Sequence, residues 1–216
     1  MITVYTYDPV IVYDANDALQ RFGRLKIEAT SFTISEPVQE LEISPIIYDF
    51  AEKREQNVLQ EMYDVFPFSI MTITMERIFI DKLFAAEAYV RRSAEKQRAF
   101  EAAKHIYDLS VMTQQKNIQN LFADDDLMKR LLDIRIQEEK GRLDGIPGIL
   151  PDEFIAFEQA AENEEVRNAY GVMQSQYVLR PDDRIPYDLA MEALREIQQM
   201  LMNNRSWRFY RFISKQ

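Results

Sequence analysis

Apolar residues recur at helical spacing between Met71 and Met112, and this pattern predicts two long helices. After Thr74, which suits an N-cap, the first helix has its apolar positions at Ile78, Leu83, Ala85, Ala86 and Tyr89. A second set begins near Ser93 and comprises Phe100, Ala103, Ile106, Tyr107 and Val111. Arg91-Arg92 lies between the two sets, near the C-terminus of the first helix, where the helix dipole favours cations.

The residues before this stretch alternate in a way that predicts strands. Ile2 to Tyr13 is rich in β-branched and aromatic residues but is interrupted by Asp8-Pro9, which predicts two short strands or one interrupted edge strand. Asp14 to Gly23 predicts a short helix or turn that ends at glycine. Val38 to Ile43, which follows Pro37, predicts a partner for the central strand described next.

Arg24 to Ile34 is the clearest strand in the sequence, and the alternation is visible from Leu25 to Phe32. Its alternation places Leu25, Ile27 and Ala29 on one face and Lys26 and Glu28 on the other. We expect this strand to pair in a sheet, with Ile27 buried and Glu28 directed toward the first long helix.

Helical patterns account for most of the remaining chain. Pro45 to Phe66 predicts a helix that could break near Gln56-Asn57, and Pro67 to Ile73 predicts a strand. Further helices are predicted at Ile118–Phe122, Asp126–Leu143, Pro151–Tyr177 and Ile185–Asn203. The basic, aromatic stretch Arg205 to Lys215 predicts a last turn or strand that docks its rings, or a nucleic-acid contact.

These elements predict an α+β fold, with a small N-terminal sheet packed against a larger C-terminal helical bundle. The predicted division places a β-rich part at residues 1–73 and a helical part at 74–216. A chain of 216 residues can bury a sizeable core, and 47% hydrophobic with 29% charged residues is an ordinary globular balance.

Composition excludes several classes of function. The net charge of −10 argues against a broad nucleic-acid-binding surface, although it permits a local basic patch. The chain has no cysteine and one histidine, which excludes disulfides and makes the usual zinc sites untenable. No apolar run approaches the roughly 20 residues that span a bilayer, so we expect a cytoplasmic protein without a membrane partner.

Two segments resemble a known family. T-M-E-R-I-F-I-D-K-L-F-A, which contains Lys82, and K-H-I-Y-D-L, which contains Asp108, resemble motifs of the AbiEii/AbiGii-type nucleotidyltransferase toxins. The resemblance extends to R-L-K-I-E-A-T-S-F-T upstream and more weakly to the terminal helices. It implies membership of a toxin–antitoxin or abortive-infection system, and an enzyme that transfers a nucleoside monophosphate from a triphosphate to RNA or protein.

The resemblance also implies roles for individual residues. Lys82 and Asp108 would be catalytic, Lys82 and Arg77 would bind the nucleotide, and Glu28 would be a metal ligand on a central strand. The implied cofactors are Mg²⁺ and a nucleoside triphosphate. Lysine suits the task because its compact positive charge neutralises a triphosphate, and aspartate can orient the lysine or accept a proton from the attacking hydroxyl.

One half of the family pattern is missing. The family has a Gly-Gly-Thr or Gly-Ser loop followed by an Asp-x-Asp pair that holds the metal ions, whereas no two of the five glycines here are adjacent. Asp124 and Asp126 form an Asp-x-Asp without a glycine loop, and this acidic run is better explained as the N-terminal cap of the following helix. We therefore expect a protein that is incomplete or inactive alone.

Three alternatives use the same residues differently. Lys82 and Asp108 could be a purely structural ion pair, and Glu28 could be a solvated residue. Arg98 and His105 fit the loose R-x(4–6)-H spacing of HEPN-type ribonucleases, although Ala99 replaces the polar residue usually found beside that arginine. The chain could also be a non-catalytic helical interaction module, or half of a split enzyme whose unpaired strand edges recruit a partner.

The partners follow from these hypotheses. They are a cognate antitoxin, a chain that supplies the missing half of the enzyme, RNA or tRNA as acceptor, and a second copy in a homodimer.

Overall fold

The computed structural model describes residues 2–8, 23–29, 36–95, 97–142 and 145–204. Helices dominate these residues and antiparallel strands make up the rest, so the predicted α+β class is confirmed. The chain forms two compact units, one of residues Ser35–Ile78 and one of Met1–Ile34 with Phe79–Gln216. Within the described part, no helix has the length and apolar content needed to cross a membrane.

Four strands and nine α-helices lie within the described ranges. The strands are β1 (Ile2–Thr6), β2 (Arg24–Glu28), β3 (Val38–Ile43) and β4 (Phe68–Ile73). The helices are α1 (Ile46–Phe50), α2 (Lys53–Tyr63), α3 (Met75–Arg91), α4 (Arg98–Met112), α5 (Lys116–Leu121), α6 (Asp125–Glu139), α7 (Ala156–Glu162), α8 (Glu164–Tyr177) and α9 (Tyr187–Asn203). Short 3-10 helices occupy Pro151–Glu153 and Pro181–Asp183.

The predicted strand around Leu25 exists and pairs with β1 in antiparallel register, with Ile2 opposite Glu28. The expectation that Ile27 is buried is wrong, because its side chain is 47% exposed. The reason is that β1 and β2 form a two-stranded sheet, and two strands alone cover neither face. Residues 9–22 and 30–35, on which parts of the predicted N-terminal elements fall, lie outside the described ranges.

The unit of residues 36–78 is an antiparallel pair of strands with two helices between them. Val38–Ile43 is a strand as predicted, but its partner is β4 and not the Leu25 strand; Leu41 lies opposite Ile70. The predicted helix after Pro45 is broken at Ala51-Glu52 and not at Gln56-Asn57. The break lies there because Glu52 starts α2 in an extended conformation, where its N–H is bonded to the Glu55 carboxylate at 3.0 Å.

The larger unit has a helical core centred on α4, which packs mainly against α8 and α9. α9 is strongly amphipathic and buries residues at helical spacing: Ala190, Met191, Leu194, Ile197 and Leu201. α3 joins this core through aromatic pairs, since Phe79 lies edge-on to Phe122 at 5.7 Å and Phe84 edge-on to Phe154 at 5.0 Å.

Caps decide where the later helices begin. Asp124 accepts a hydrogen bond from the Leu127 amide at 2.9 Å, which confirms that the acidic run caps α6. The predicted helix from Pro151 to Tyr177 is divided, because Asn163 accepts from the Val166 amide and starts α8 separately. The second long helix begins at Arg98 and not near Ser93, after Gln97 in a left-handed conformation. The tail from Arg205 lies outside the described ranges.

Candidate functional site

The candidate site lies where α3 faces α4, and the sequence explains the position of Lys82 on α3. The helix begins after Thr74, whose Oγ1 accepts a hydrogen bond from the Arg77 amide at 3.3 Å. Its apolar positions before and after Lys82 are fully buried or nearly so, at Phe79, Ile80, Leu83 and Phe84. Lys82 itself remains partly exposed at the edge of this buried stripe.

Lys82 and Asp108 are in direct contact. The Lys82 Nζ donates a hydrogen bond to Asp108 Oδ2 at 2.5 Å, and the two side chains are 27% and 37% exposed. The structure thus brings together the two residues that the family resemblance singled out, while their catalytic role stays a prediction. An ammonium has three donors, and among the described residues only Asp108 accepts from Lys82, so two N–H groups remain for a ligand.

Because the pair is partly exposed, the change in folding stability on mutation distinguishes a functional pair from a structural one. We expect Lys82→Met and Asp108→Asn each to lower the free energy of unfolding by less than about 1 kcal/mol, because solvent screens a partly exposed pair. Urea titrations followed by far-ultraviolet circular dichroism measure this change. A loss of about 3 kcal/mol or more in either variant would instead identify a pair that holds the fold together.

His105 lies one helical turn before Asp108 and stacks on Tyr89 of α3, with ring centroids 5.4 Å apart and planes 5° from parallel. Burial, and to a smaller extent the positive charges of Lys82 and Lys104, lowers the pKa of His105 to about 3. The imidazole is consequently neutral at physiological pH. Its Nδ1 is buried and has no hydrogen-bond partner in the described part of the chain.

This geometry argues against the ribonuclease alternative. A histidine that moves protons near neutral pH needs a pKa near 7, and that of His105 is far lower. Arg98, the other residue of that motif, has its guanidinium 5.3 Å from the centre of the Tyr89 ring. Tyr89 thus contacts both motif residues. From the sequence, Tyr89 was identified only as an apolar position of the first long helix.

The low pKa of His105 predicts a pH-dependent stability with a definite sign. Below pH 6.5 the unfolded chain binds a proton at this residue, whereas the folded chain does not until about pH 3. Folding stability is therefore complete above pH 6.5 and falls as the pH decreases, by up to about 1.4 kcal/mol per pH unit.

His105 is the single histidine of the chain, so no other histidine contributes to this pH dependence. Denaturation at a series of pH values between 6.5 and 5 should show this fall in the native chain and a much flatter profile in His105→Phe, which retains a ring against Tyr89. Equal slopes in both proteins would contradict the assignment.

A buried charge cluster lies beside the site and was not predicted from the sequence. Arg135 on α6 is 2% exposed and forms ion pairs with Glu139, with Glu138 at 3.5 Å and with Asp81 of α3 at 3.6 Å. Burial lowers the pKa of Arg135, and the Glu139 carboxylate opposes that shift. Since Asp81 precedes Lys82 directly, the cluster holds this turn of α3 against α6.

The sequence did contain a signal for this cluster. Arg135, Glu138 and Glu139 are spaced i, i+3 and i+4 on one helix, close to the buried Leu131 and Leu132. A charged triplet within an apolar stripe indicates a buried network.

Arg77 and Glu28, the other predicted site residues, occupy different surroundings. Arg77 is 1% exposed, and its Nη1 donates to the Glu36 carbonyl at 3.0 Å, which gives the guanidinium a structural task. The side chain of Glu28 lies outside the described atoms, although its backbone belongs to β2. The nucleotide-binding role of Arg77 and the metal-binding role of Glu28 stay predictions.

The described residues do not fit a two-metal centre. No group of three or more histidine, aspartate or glutamate side chains within the described ranges is placed to hold a metal ion. The Asp-x-Asp at residues 124–126 does not serve either, because Asp124 is engaged as the cap of α6. No metal-dependent step is therefore assigned to these residues.

Comparison with known proteins gives one family. The family model described as nucleotidyl transferase AbiEii toxin, type IV TA system, matches residues 4–203. Neither the curated proteins nor the solved structures gave a match. The match includes both helices of the candidate site, together with β2 and α9.

Proposed function

The chain belongs to the AbiEii family of nucleotidyl transferase toxins of type IV toxin–antitoxin systems, and from this premise we propose that Lys82 and Asp108 form its nucleotide-facing pair. The observation that carries the proposal is their hydrogen bond across α3 and α4, at 2.5 Å and partly open to solvent. A structural ion pair would gain nothing from that exposure, whereas a ligand-binding pair requires it.

The proposed reaction moves a nucleoside monophosphate from a triphosphate to a hydroxyl of RNA or protein. The acceptor oxygen forms a bond to the α-phosphorus, the bond to the bridging oxygen breaks, and pyrophosphate leaves. Negative charge builds on the leaving group, and the two N–H groups of Lys82 not used by Asp108 are available to neutralise it. Asp108 orients the ammonium and, through Oδ1, can accept the proton of the attacking hydroxyl.

The other half of the reaction centre is proposed to come from elsewhere. The glycine loop and the metal-holding Asp-x-Asp pair do not occur in functional form in these 216 residues. Positioning by one lysine leaves a triphosphate only loosely held, because phosphate cradles rely on several backbone N–H groups. We therefore propose that the chain acts with a polypeptide that supplies both motifs, in the cytoplasm and under the control of a cognate antitoxin.

A nucleotide-binding measurement tests the role of Lys82 without requiring turnover. We expect the purified chain to bind labelled nucleoside triphosphates weakly, with an affinity that falls steeply with salt because it rests on charge. Lys82→Ala should abolish this binding.

Lys129→Ala is the matched control, since Lys129 forms a similar ion pair with Asp133 at 2.8 Å on α6. Equal losses in both variants would show that the nucleotide responds only to the overall charge of the protein, which would contradict a specific role for Lys82.

A further inference from the structure

The unit of residues 36–78 exposes large apolar side chains to an unusual degree. Six of them are more than 60% exposed: Ile46, Ile47, Phe50, Met62, Tyr63 and Met71. Neither α1 nor α2 contains a buried residue. Single exposed apolar residues are ordinary on protein surfaces, but a concentration of this kind in 43 residues marks an interaction surface.

Two of these side chains, Ile47 and Phe50, line a groove. It lies between α1 and α2, has a volume of about 660 Å³, and is lined by Ile47, Phe50, Val58 and Leu59. Glu52, Arg54 and Glu55 line the same groove and are exposed, so its charged edge carries two acidic groups and one basic group. An apolar floor beside acidic residues matches the chemistry of an amphipathic segment with cationic flanks.

Charge decides which occupant fits this groove. Residues 36–78 contain nine acidic and three basic residues, a net charge of −6. Two copies of this unit would repel each other, and a nucleic acid or an anionic membrane surface would be repelled as well. A polypeptide with net positive charge would be attracted.

We propose that the groove between α1 and α2 binds a basic, amphipathic segment of a partner protein. Its apolar side chains would cover Ile47 and Phe50, and its lysine or arginine side chains would face Glu52 and Glu55. This binding site involves residues 36–78 only. Its test therefore does not depend on whether Lys82 and Asp108 are catalytic.

The test uses two defined peptides and the full chain. One is a model amphipathic helix of leucine and lysine, and the other has glutamate in place of each lysine. The lysine peptide should bind in calorimetry, less tightly as salt rises, and should slow amide hydrogen exchange in residues 46–63. The glutamate peptide should not bind.

Three variants localise the effect. Phe50→Ser removes an 87% exposed ring and should weaken the lysine peptide by about tenfold or more. Glu52→Gln with Glu55→Gln preserves the hydrogen-bonding oxygens that start α2 and should weaken binding and flatten its salt dependence. Leu179→Ser, at a site 78% exposed in the other unit, should leave binding unchanged.

Several results would overturn the proposal. They are equal binding of both peptides, no binding of the lysine peptide, protection that falls outside residues 46–63, or a Phe50→Ser variant that binds as the native chain does. Sedimentation that shows a dimer, with protection of residues 46–63 rising with protein concentration, would assign the groove to a second copy instead.

Discussion

Replacing Arg135 by methionine is expected to lower the free energy of unfolding by about 3–5 kcal/mol. The arginine and its partners Glu138 and Glu139 are almost fully buried, so its removal takes a positive charge away from two carboxylates in a medium that solvates them poorly. Chemical denaturation of the native chain and the variant measures the difference. Arg130→Met, at an exposed position of the same helix, should change stability by no more than about 0.5 kcal/mol.

A second variant separates the loss of charge balance from the loss of packing. Adding Glu138→Gln and Glu139→Gln to Arg135→Met removes the uncompensated charges and should recover a large part of the stability. An apolar or neutral replacement of a whole buried ion cluster is often tolerated, whereas removal of one partner is not. If Arg135→Met alone costs less than about 1 kcal/mol, the cluster does not hold α6 against α3.

The isolated chain is expected not to transfer nucleotides, although it belongs to a family of nucleotidyl transferase toxins. Two-metal chemistry needs carboxylates that bridge both ions, and the described residues provide no such group. Incubation with Mg²⁺ or Mn²⁺, each labelled nucleoside triphosphate and bulk tRNA measures this directly. We expect transfer indistinguishable from a sample without protein.

If label transfer is observed in this assay, the Asp108→Ala variant identifies its source. Robust transfer by the chain alone, abolished by Asp108→Ala, would show that these residues hold a metal site after all. The same transfer retained in Asp108→Ala would point to a contaminating enzyme, and Lys129→Ala serves as the control for general effects of surface charge.

The contact between Lys82 and Asp108 was predictable because both lie in helices with strong apolar periodicity. In each helix the buried stripe fixes which way the remaining positions face, so a motif residue beside the stripe has a defined direction. The cap at Asp124 was predictable for a similar local reason, since a short acidic side chain satisfies nearby amides.

The sequence-based predictions that were wrong concern features that depend on contacts between distant segments of the chain. Alternation in the Leu25 strand predicted which side chains share a face, but not that Ile27 remains exposed on a two-stranded sheet. In the same way β3 showed no sign of its pairing with β4. Strand patterns define a half-buried surface and leave the choice of partner to the rest of the fold.

The distant hydrogen-bond partners of buried charged groups were the least predictable feature. Glu87 is 0% exposed and accepts hydrogen bonds from the amides of Ile155 and Ala156, at 3.1 and 2.8 Å, although the first lies 68 residues away. Glutamate is ordinarily a surface residue. Those amides and the guanidinium of Arg91, one turn along α3, together make its burial favourable. The i, i+4 spacing of Glu87 and Arg91 is visible in the sequence, whereas no local pattern predicts the two amides.

Complementation tests whether Lys82 and Asp108 take part in nucleotidyl transfer. The chain would be mixed with a polypeptide that carries the glycine loop and the Asp-x-Asp pair of an AbiEii-family protein, and with Mg²⁺, labelled nucleoside triphosphates and tRNA. We predict label transfer in the mixture, reduced by about 100-fold or more in Lys82→Ala and in Asp108→Ala and unchanged in Lys129→Ala. Transfer that persists undiminished in Lys82→Ala and Asp108→Ala would contradict this prediction, because the pair between α3 and α4 would then have no part in the reaction.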